Sequence, residues 1–206
     1  MGSDGRLRVI EGAHGVGLKT TSTIMFGHRE RVEHVALHLR RLRELQLRTG
    51  GISEFVPLPF VHMEAPMFRK GLARRGPTYR EAVLIHAVAR LALHPVVPNI
   101  QVSWVKLGPD GVRAALKSGA NDLGGTLMNE SISRAAGTQH GQELGPAEMD
   151  ALISSLGRHA VQRTTLYGPV PQERSAASYR AAELEPVQLT PAARRPNQIL
   201  ITPVSS

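Results

Sequence analysis

The residues best placed to do chemistry stand in one block, Asn121-Asp122-Leu123-Gly124-Gly125-Thr126. An apolar approach ends in a carboxamide and a carboxylate, then two glycines and a hydroxyl, then a segment with helical character. A strand that delivers polar groups to the rim of an α/β sheet has this layout. Glycines let ligand atoms approach the backbone, and a following helix N-terminus favours negative charge. The same residue types also build an ordinary tight turn. Downstream, Asn129, Glu130, Ser133 and Arg134 follow on a helix, and Gly137, His140 and Gly141 form its exit.

Three other blocks repeat the strand-then-polar order. In Thr23 to Glu30, Gly27 permits close approach, His28 can donate or accept, and Glu30 falls in the first turn of the next helix. A plain strand-to-helix connection, with Glu30 favouring the helix dipole, reads equally well. Phe55 to His62 is a rigid apolar ridge ending in an imidazole. It suits the wall of an aromatic-substrate pocket, or an edge strand turning a corner. In Asn99 to Lys106, strand alternation sets Gln101, Ser103 and Val105 on one face and Ile100, Val102, Trp104 and Lys106 on the other. Inward amide and hydroxyl groups are costly unless paired with each other or with a ligand.

Composition narrows the classes. The chain has 206 residues, 41% hydrophobic and only 4% aromatic, so its core rests on Leu, Val, Ala and Ile. There is no cysteine, hence no disulfide, which fits a cytoplasmic protein. No apolar run reaches the roughly 18 residues a spanning helix needs. Met1 to Arg8 lacks a signal-peptide core. The net charge of +8 is dispersed along helices without aromatic interleaving, so no nucleic-acid partner is expected. His34 and His38 are spaced as a zinc pair would be, but Val35, Ala36 and Leu37 stand between them with no glutamate. A solvated helix face is the expectation there. Walker and G-x-S-x-G motifs are absent.

The elements that position these blocks follow from periodicity. The end of a helix is expected at Arg8 to His14, a strand at Lys19 to Phe26 and a helix at Glu30 to Leu47, with Val35, Leu39, Leu42 and Leu45 on one face. A strand follows at Ile52 to Val56, its ladder ended by Pro57 and Pro59. After a long loop, Pro77-Thr78 opens a helix through Leu93. Further strands are expected at Asn99 to Lys106 and Asn121 to Gly124. Helices are expected at Pro109 to Lys117, Thr126 to Ala136 and Pro146 to Leu156, with a last extended piece at Val161 to Leu166. The β-α alternation argues a parallel sheet. Four βα units make half of an eight-fold barrel, whose functional residues sit at strand C-terminal ends. A small open flavodoxin-like sheet has the same count.

Several blocks together resemble the FO synthase family, radical S-adenosylmethionine enzymes that make a deazaflavin chromophore. They are Gly17 to His28, Thr49 to His62, Asn99 to Gly108, Asn121 to Gly141, and Arg163-Thr164-Thr165-Leu166-Tyr167-Gly168. The likeness is to the tyrosine-using half (CofH, or the CofH-like half of FbiC) and covers roughly residues 8–168. It implies an α/β fold that is half of a radical-SAM barrel, with four parallel βα units over residues 1–168; beyond it Pro, Ala, Arg, Ser and Gln dominate, and a poorly ordered tail is expected over 169–206. It implies transfer of a 4-hydroxybenzyl fragment from L-tyrosine to 5-amino-6-(D-ribitylamino)uracil, started by a 5′-deoxyadenosyl radical. The cofactors so implied are S-adenosyl-L-methionine and a 4Fe-4S cluster. Met25, Gly27, His28 and Glu30 match the adenosyl side. His62, Gln101, Ser103, Asn121, Asp122, Gly124, Gly125 and Thr126 are the implied substrate contacts.

One departure is large. The family holds its cluster on a C-x-x-x-C-x-x-C loop after the first strand, and this chain has no cysteine at all. The expected partner is therefore an N-terminal half carrying that loop. Smaller departures are Asn129 and Ala135, where the family pattern has Glu and Met. Two rival readings are a non-enzymatic α/β module binding a phosphate- or nucleotide-bearing ligand, and an inactive truncated remnant.

Overall fold

A computed structural model describes residues 3–127, 131–140 and 143–182. Asn129, Glu130, Gly141 and the tail from residue 183 onward lie outside the described residues. The elements run α1 (Ser3–Gly15), β1 (Thr20–Phe26), α2 (Val32–Thr49), β2 (Ile52–Pro59), α3 (Pro66–Arg69), α4 (Tyr79–Leu93), α5 (Trp104–Lys117), α6 (Ile132–Ala135), α7 (Pro146–Ser154) and α8 (Gln172–Ser178).

Strands β1 and β2 pair in parallel, with Ser22 opposite Phe55 and Ile24 opposite Pro57. Two further segments extend this pair through isolated parallel bridges, Phe55 to Ile100 and Gln101 to Asp122. Phe55 N–H donates to the Asn99 carbonyl at 2.9 Å and Gln101 N–H to the Phe55 carbonyl at 3.0 Å. Val102 N–H then donates to the Asp122 carbonyl at 2.9 Å. The molecule is thus mixed α/β, a two-stranded parallel sheet flanked by two bridged segments in sequence order.

The expectation that Pro57 and Pro59 end the β2 ladder is corrected, because β2 runs through Pro59. Backbone groups alternate sides along a strand. Phe60 N–H points at β1, donating to the Phe26 carbonyl at 2.8 Å, while Phe55 N–H points at the third segment. The missing N–H groups of Pro57 and Pro59 therefore face the third segment, and the β1 ladder survives. That placement also accounts for a second correction. The third strand was expected to reach Lys106, but the chain turns helical at Trp104. Beyond Phe55, β2 offers the third segment no donor at 57 or 59.

Packing follows the alternation. Phe55 and Ile100 are fully buried against Leu39, Leu42 and Leu45 of α2 and Ala89 and Leu93 of α4. Gln46 ties this layer together without leaving a polar orphan. Its carboxamide nitrogen donates to the carbonyls of Ile52 and Val96, and its oxygen accepts from Ile52 N–H at 2.7 Å. A second cluster joins Val102, Trp104 and Val105 to Val112, Leu116, Leu123 and Leu152. Thr78 opens α4 in a capping box with Glu81, as the Pro77-Thr78 signal predicts.

Other boundaries moved. Of the expected Thr126 to Ala136 helix, Ile132–Ala135 is helical among the described residues. Val161 to Leu166 contributes a single antiparallel bridge, Arg163 to Pro169. Helix α8 occupies part of the segment read as tail. His38 is not solvated: its ring lies 6.0 Å from that of Phe55 and its Nε2 is buried. No group of three metal-ligating side chains occurs among the described residues. No helix among them is long and apolar enough to cross a membrane.

Candidate functional site

Because Phe55 and Ile100 face the helices, the alternate residues face the other way. Thr21, Thr23 and Met25 stand exposed on that side of β1, and Glu54, Gln101 and Asp122 share it on the neighbouring segments. It is a polar sheet face, and among the described residues Thr21, Thr23 and Met25 of β1 stand uncovered on it. Gln101 and Gly124 meet there, since a Cβ on Gly124 would lie 2.6 Å from the Gln101 amide nitrogen. Gln101 and Ser103 make no side-chain hydrogen bond among the described residues.

Asp122 does not wait for a ligand. Arg163 grips its carboxylate through Nε and, at 2.9 Å, through Nη2. Gly124 N–H donates to the same carboxylate at 2.6 Å. Arg163 also reaches Glu54 Oε2 at 3.5 Å and stacks 4.0 Å above the Tyr167 ring. The Tyr167 hydroxyl donates to Glu54, and Thr21 Oγ1 donates to the other Glu54 oxygen at 2.9 Å. Burial, reinforced by the bond to Glu54, pushes the Tyr167 phenol far up, so it stays a donor. Burial works against the Arg163 charge, but the Asp122 bonds overcome it and hold the guanidinium above its ordinary value. Tyr167 adopts a left-handed backbone (φ 63°) within this knot.

Asn121 is likewise occupied. Its Oδ1 accepts from Ile100 N–H at 2.8 Å and from Arg90 Nη2 at 2.7 Å, fastening the fourth segment to the third and to α4. Arg163, Tyr167 and Glu54 were not singled out by spacing. The available signal was two carboxylates, Glu54 and Asp122, on one buried face that needs a cation.

At the C-terminal end of β1, the Glu30 carboxylate accepts from the backbone N–H groups of Gly27, His28 and Arg29, with Arg74 at 3.4 Å. Burial raises its pKa, but backbone N–H bonds, those of Gly27 and His28 first, outweigh that and hold it below the usual carboxylate range. His28 Nδ1 lies 3.0 Å from Glu30 Oε2, off hydrogen-bond geometry and otherwise buried without a partner. Gly27 sits at φ 89°, and a Cβ there would come within 2.2 Å of Pro77. The close approach that Gly27 permits is thus to this chain's own loop. Gly27→Ala is expected to destabilise by roughly 1–3 kcal/mol. A urea titration checks this, and Pro77→Ala should not rescue Gly27→Ala, because the Cβ would still lie 2.3 Å from the backbone nitrogen of residue 77.

The expected substrate residues divide between two cavities. Asn121, Asp122, Gly124, Gly125 and Thr126 line one of 590 Å³, next to Arg163 and Tyr167. His62 lines another of 360 Å³ with Lys106 and His140. Trp104 anchors the first rim, its indole N–H donating to the Gly125 carbonyl at 3.0 Å. Met25, Gly27, His28, Glu30, Gln101 and Ser103 line neither cavity. Met25 is half exposed at 50%.

Comparison with known proteins places the chain. Residues 49–174 match the family described as CofH/MqnC C-terminal region. The FO synthase of Streptomyces coelicolor is 52% identical over 172 residues, covering 84% of this chain and 20% of that protein. The FO synthase of Mycobacterium tuberculosis is 50% identical over 161 residues, covering 78% and 19%. The 5-amino-6-(D-ribitylamino)uracil–L-tyrosine 4-hydroxyphenyl transferase of Methanopyrus kandleri is 52% identical over 162 residues, covering 79% and 44%. The chain therefore spans about a fifth of the length of the FO synthases and under half of the archaeal transferase. Its matched region takes in β2, both bridged segments and the Arg163–Tyr167 knot, and the chain belongs to the CofH/MqnC C-terminal region family.

Proposed function

We propose that this chain supplies the substrate-facing half of a radical S-adenosylmethionine transferase that joins a 4-hydroxybenzyl fragment of L-tyrosine to 5-amino-6-(D-ribitylamino)uracil. The observation that carries the reading is the polar face shared by Glu54, Gln101 and Asp122 on parallel segments, in a chain of this family. In this reading the four segments are the last four strands of an eight-stranded barrel, and their polar face is its interior. Gln101 and Ser103 contact substrate directly. Asn121 and Asp122 act through what they hold: the edge of the fourth segment and the turn at Gly124 to Thr126. Met25 and His28 face the adenosyl group, and Glu30 shapes the turn that carries His28.

A 4Fe-4S cluster does not fit the residues of this chain, which has no thiol to ligate iron. The cluster therefore has to be held by a complementary segment, in cis or in trans. The test is expression of this chain with and without a cysteine-loop segment of the same family, followed by anaerobic reconstitution. Product should form from L-tyrosine and the ribitylaminouracil only when both are present. A soluble, reconstituted pair that makes no product would sink the reading and leave a ligand-binding module or an inactive remnant. Within the active pair, Gln101→Leu is expected to cut kcat/KM by about tenfold or more, through loss of one buried polar contact.

A further inference from the structure

The turn that leads into the fourth segment holds two guanidiniums against neutral oxygens. Arg90, in the last turn of α4, donates through Nε to the Gly119 carbonyl at 2.8 Å and through Nη1 to the Pro98 carbonyl at 2.7 Å. Its Nη2 donates to Asn121 Oδ1 at 2.7 Å. Arg158, just past α7, donates through Nη1 to the next carbonyl along, that of Ala120, at 3.2 Å. The turn is shaped for this. Gly119 sits at φ 126°, and a Cβ there would lie 2.7 Å from the Arg90 Cβ, so the glycine makes room for the arginine stem.

Two like charges fixed on adjacent carbonyls repel each other. Burial, and then the charge of Arg158, lowers the Arg90 pKa, and no carboxylate works in the other direction. Neither arginine has a carboxylate partner among the described residues. Arg158 lines the 590 Å³ cavity with Asp122 and Asp150, but both carboxylates are engaged elsewhere. Arg163 holds Asp122, and Asp150 accepts from the Tyr179 hydroxyl. Donors remain at the turn. Nε and Nη2 of the exposed Arg158 make no hydrogen bond among the described residues. Asn121 Oδ1 accepts from Arg90 and from Ile100 N–H, which fixes the amide and leaves Nδ2 as an unengaged neutral donor on an exposed residue. A planar fork, a second guanidinium behind it and an amide N–H together suit an oxyanion.

We propose that Arg158, Arg90 and Asn121 form an oxyanion site, which takes the phosphate of a small molecule or the carboxylate of a protein side chain. Pro98 and Gly119 precede the third and fourth segments, so the site lies at their N-terminal ends, away from Ser103 and Thr126. It does not rest on the transferase reading.

The test is thermal melting of the 206-residue chain in phosphate and in chloride at matched ionic strength, with calorimetric titration of inorganic phosphate to give Kd. At roughly ten times that Kd, phosphate should raise the melting temperature by about 3–5 °C over chloride. Arg158→Gln removes one charge and one hydrogen bond at an exposed position. It should weaken phosphate about tenfold or more and abolish most of the shift at the same concentration. Arg158→Lys keeps the charge without the fork and should retain part of the shift. Arg113→Gln removes the same charge from α5, where Arg113 pairs with Asp110, and should keep the full shift. Equal melting temperatures in phosphate and chloride, or an undiminished shift in Arg158→Gln, overturn the site. A shift lost equally in Arg113→Gln is a net-charge effect and overturns it as well. Titration in the presence of the cysteine-loop segment separates the two sources. Phosphate that still binds assigns the site to a small-molecule phosphate, and phosphate excluded by the segment assigns it to a carboxylate of that segment.

Discussion

Replacing Arg163 with methionine is expected to lower the unfolding free energy by about 3–5 kcal/mol, the usual cost of stripping one partner from a buried ion pair. Asp122 has only 7% of its side chain exposed and Glu54 13%, and Arg163 is the cation that reaches both. Methionine matches much of the aliphatic stem but donates nothing. Two carboxylates would then face each other across a polar sheet face, with Thr21, Tyr167 and the Gly124 N–H as the remaining donors among the described residues. Arg163 itself is 24% exposed, so water takes part of its place and the effect falls toward the lower end of the range. Arg163→Lys keeps the charge but cannot form the bidentate grip, and should recover about half. Equilibrium urea unfolding reads both. A loss below about 1 kcal/mol for Arg163→Met would mean that the pair behaves as a screened surface pair, and the knot would lose its structural role. Asp122→Asn in the Arg163→Met background should cost far less than in the parent, because the charge it removes is already unpaired.

The same residues show where sequence reading reaches its limit. Helices α2 and α4 were legible because their signals are local: leucines at three- and four-residue spacing in one, a Thr78–Glu81 box in the other. That Gln101 faces away from the side on which Ile100 and Val102 are fully buried was legible from alternation. Trp104 was misplaced because its apolar neighbours suit strand and helix alike. The missing Pro57 and Pro59 donors, which end the third segment's pairing to β2 beyond Gln101, lie more than 40 residues upstream of Trp104. Arg163 shares its pair with a residue 41 positions away and another 109 positions away. No local pattern encodes such a contact. Only the count of carboxylates on the polar sheet face could have called for a cation, and the family likeness marked the Arg163 to Gly168 block without saying what it does. The cavity at His62 was half legible for the same reason: the imidazole was seen, while Arg75, Lys106 and His140 converge on it from three other parts of the chain.

Acid should unfold this protein in two stages, and the upper stage belongs to histidine. His86 has no exposed surface; its Nδ1–H donates to the Ala82 carbonyl at 2.7 Å and its Nε2 is buried without a partner. Burial holds its pKa below the ordinary 6.5, with the Ala82 bond opposing only in part. His38 is lowered by burial as well, and its Nε2 is also unpartnered. His14 is lowered by burial and then by Lys19. A proton added at Nε2 of His38 or His86 would have no acceptor in the fold but would be hydrated in the unfolded chain. Below about pH 6.5 the unfolded state therefore binds more protons than the native state, and stability falls as pH falls. Each fully affected histidine contributes at most about 1.4 kcal/mol per pH unit. The lower stage comes from Glu30 and Glu81, both depressed. Arg74 is the chief cause of the Glu81 value, held down to about 2. Their contribution is complete above the ordinary value of 4.5 and is lost as pH falls toward their folded values. Urea midpoints at about pH 7 and about pH 5.5 isolate the upper stage, since the carboxylates remain ionised across that interval. The midpoint should drop in the parent, drop less in His86→Leu, and be nearly flat in His38→Leu combined with His86→Leu, apart from the share left to His14. Equal midpoints at the two pH values in the parent would show that these imidazoles take up protons in the folded state, and the buried-neutral account would fail.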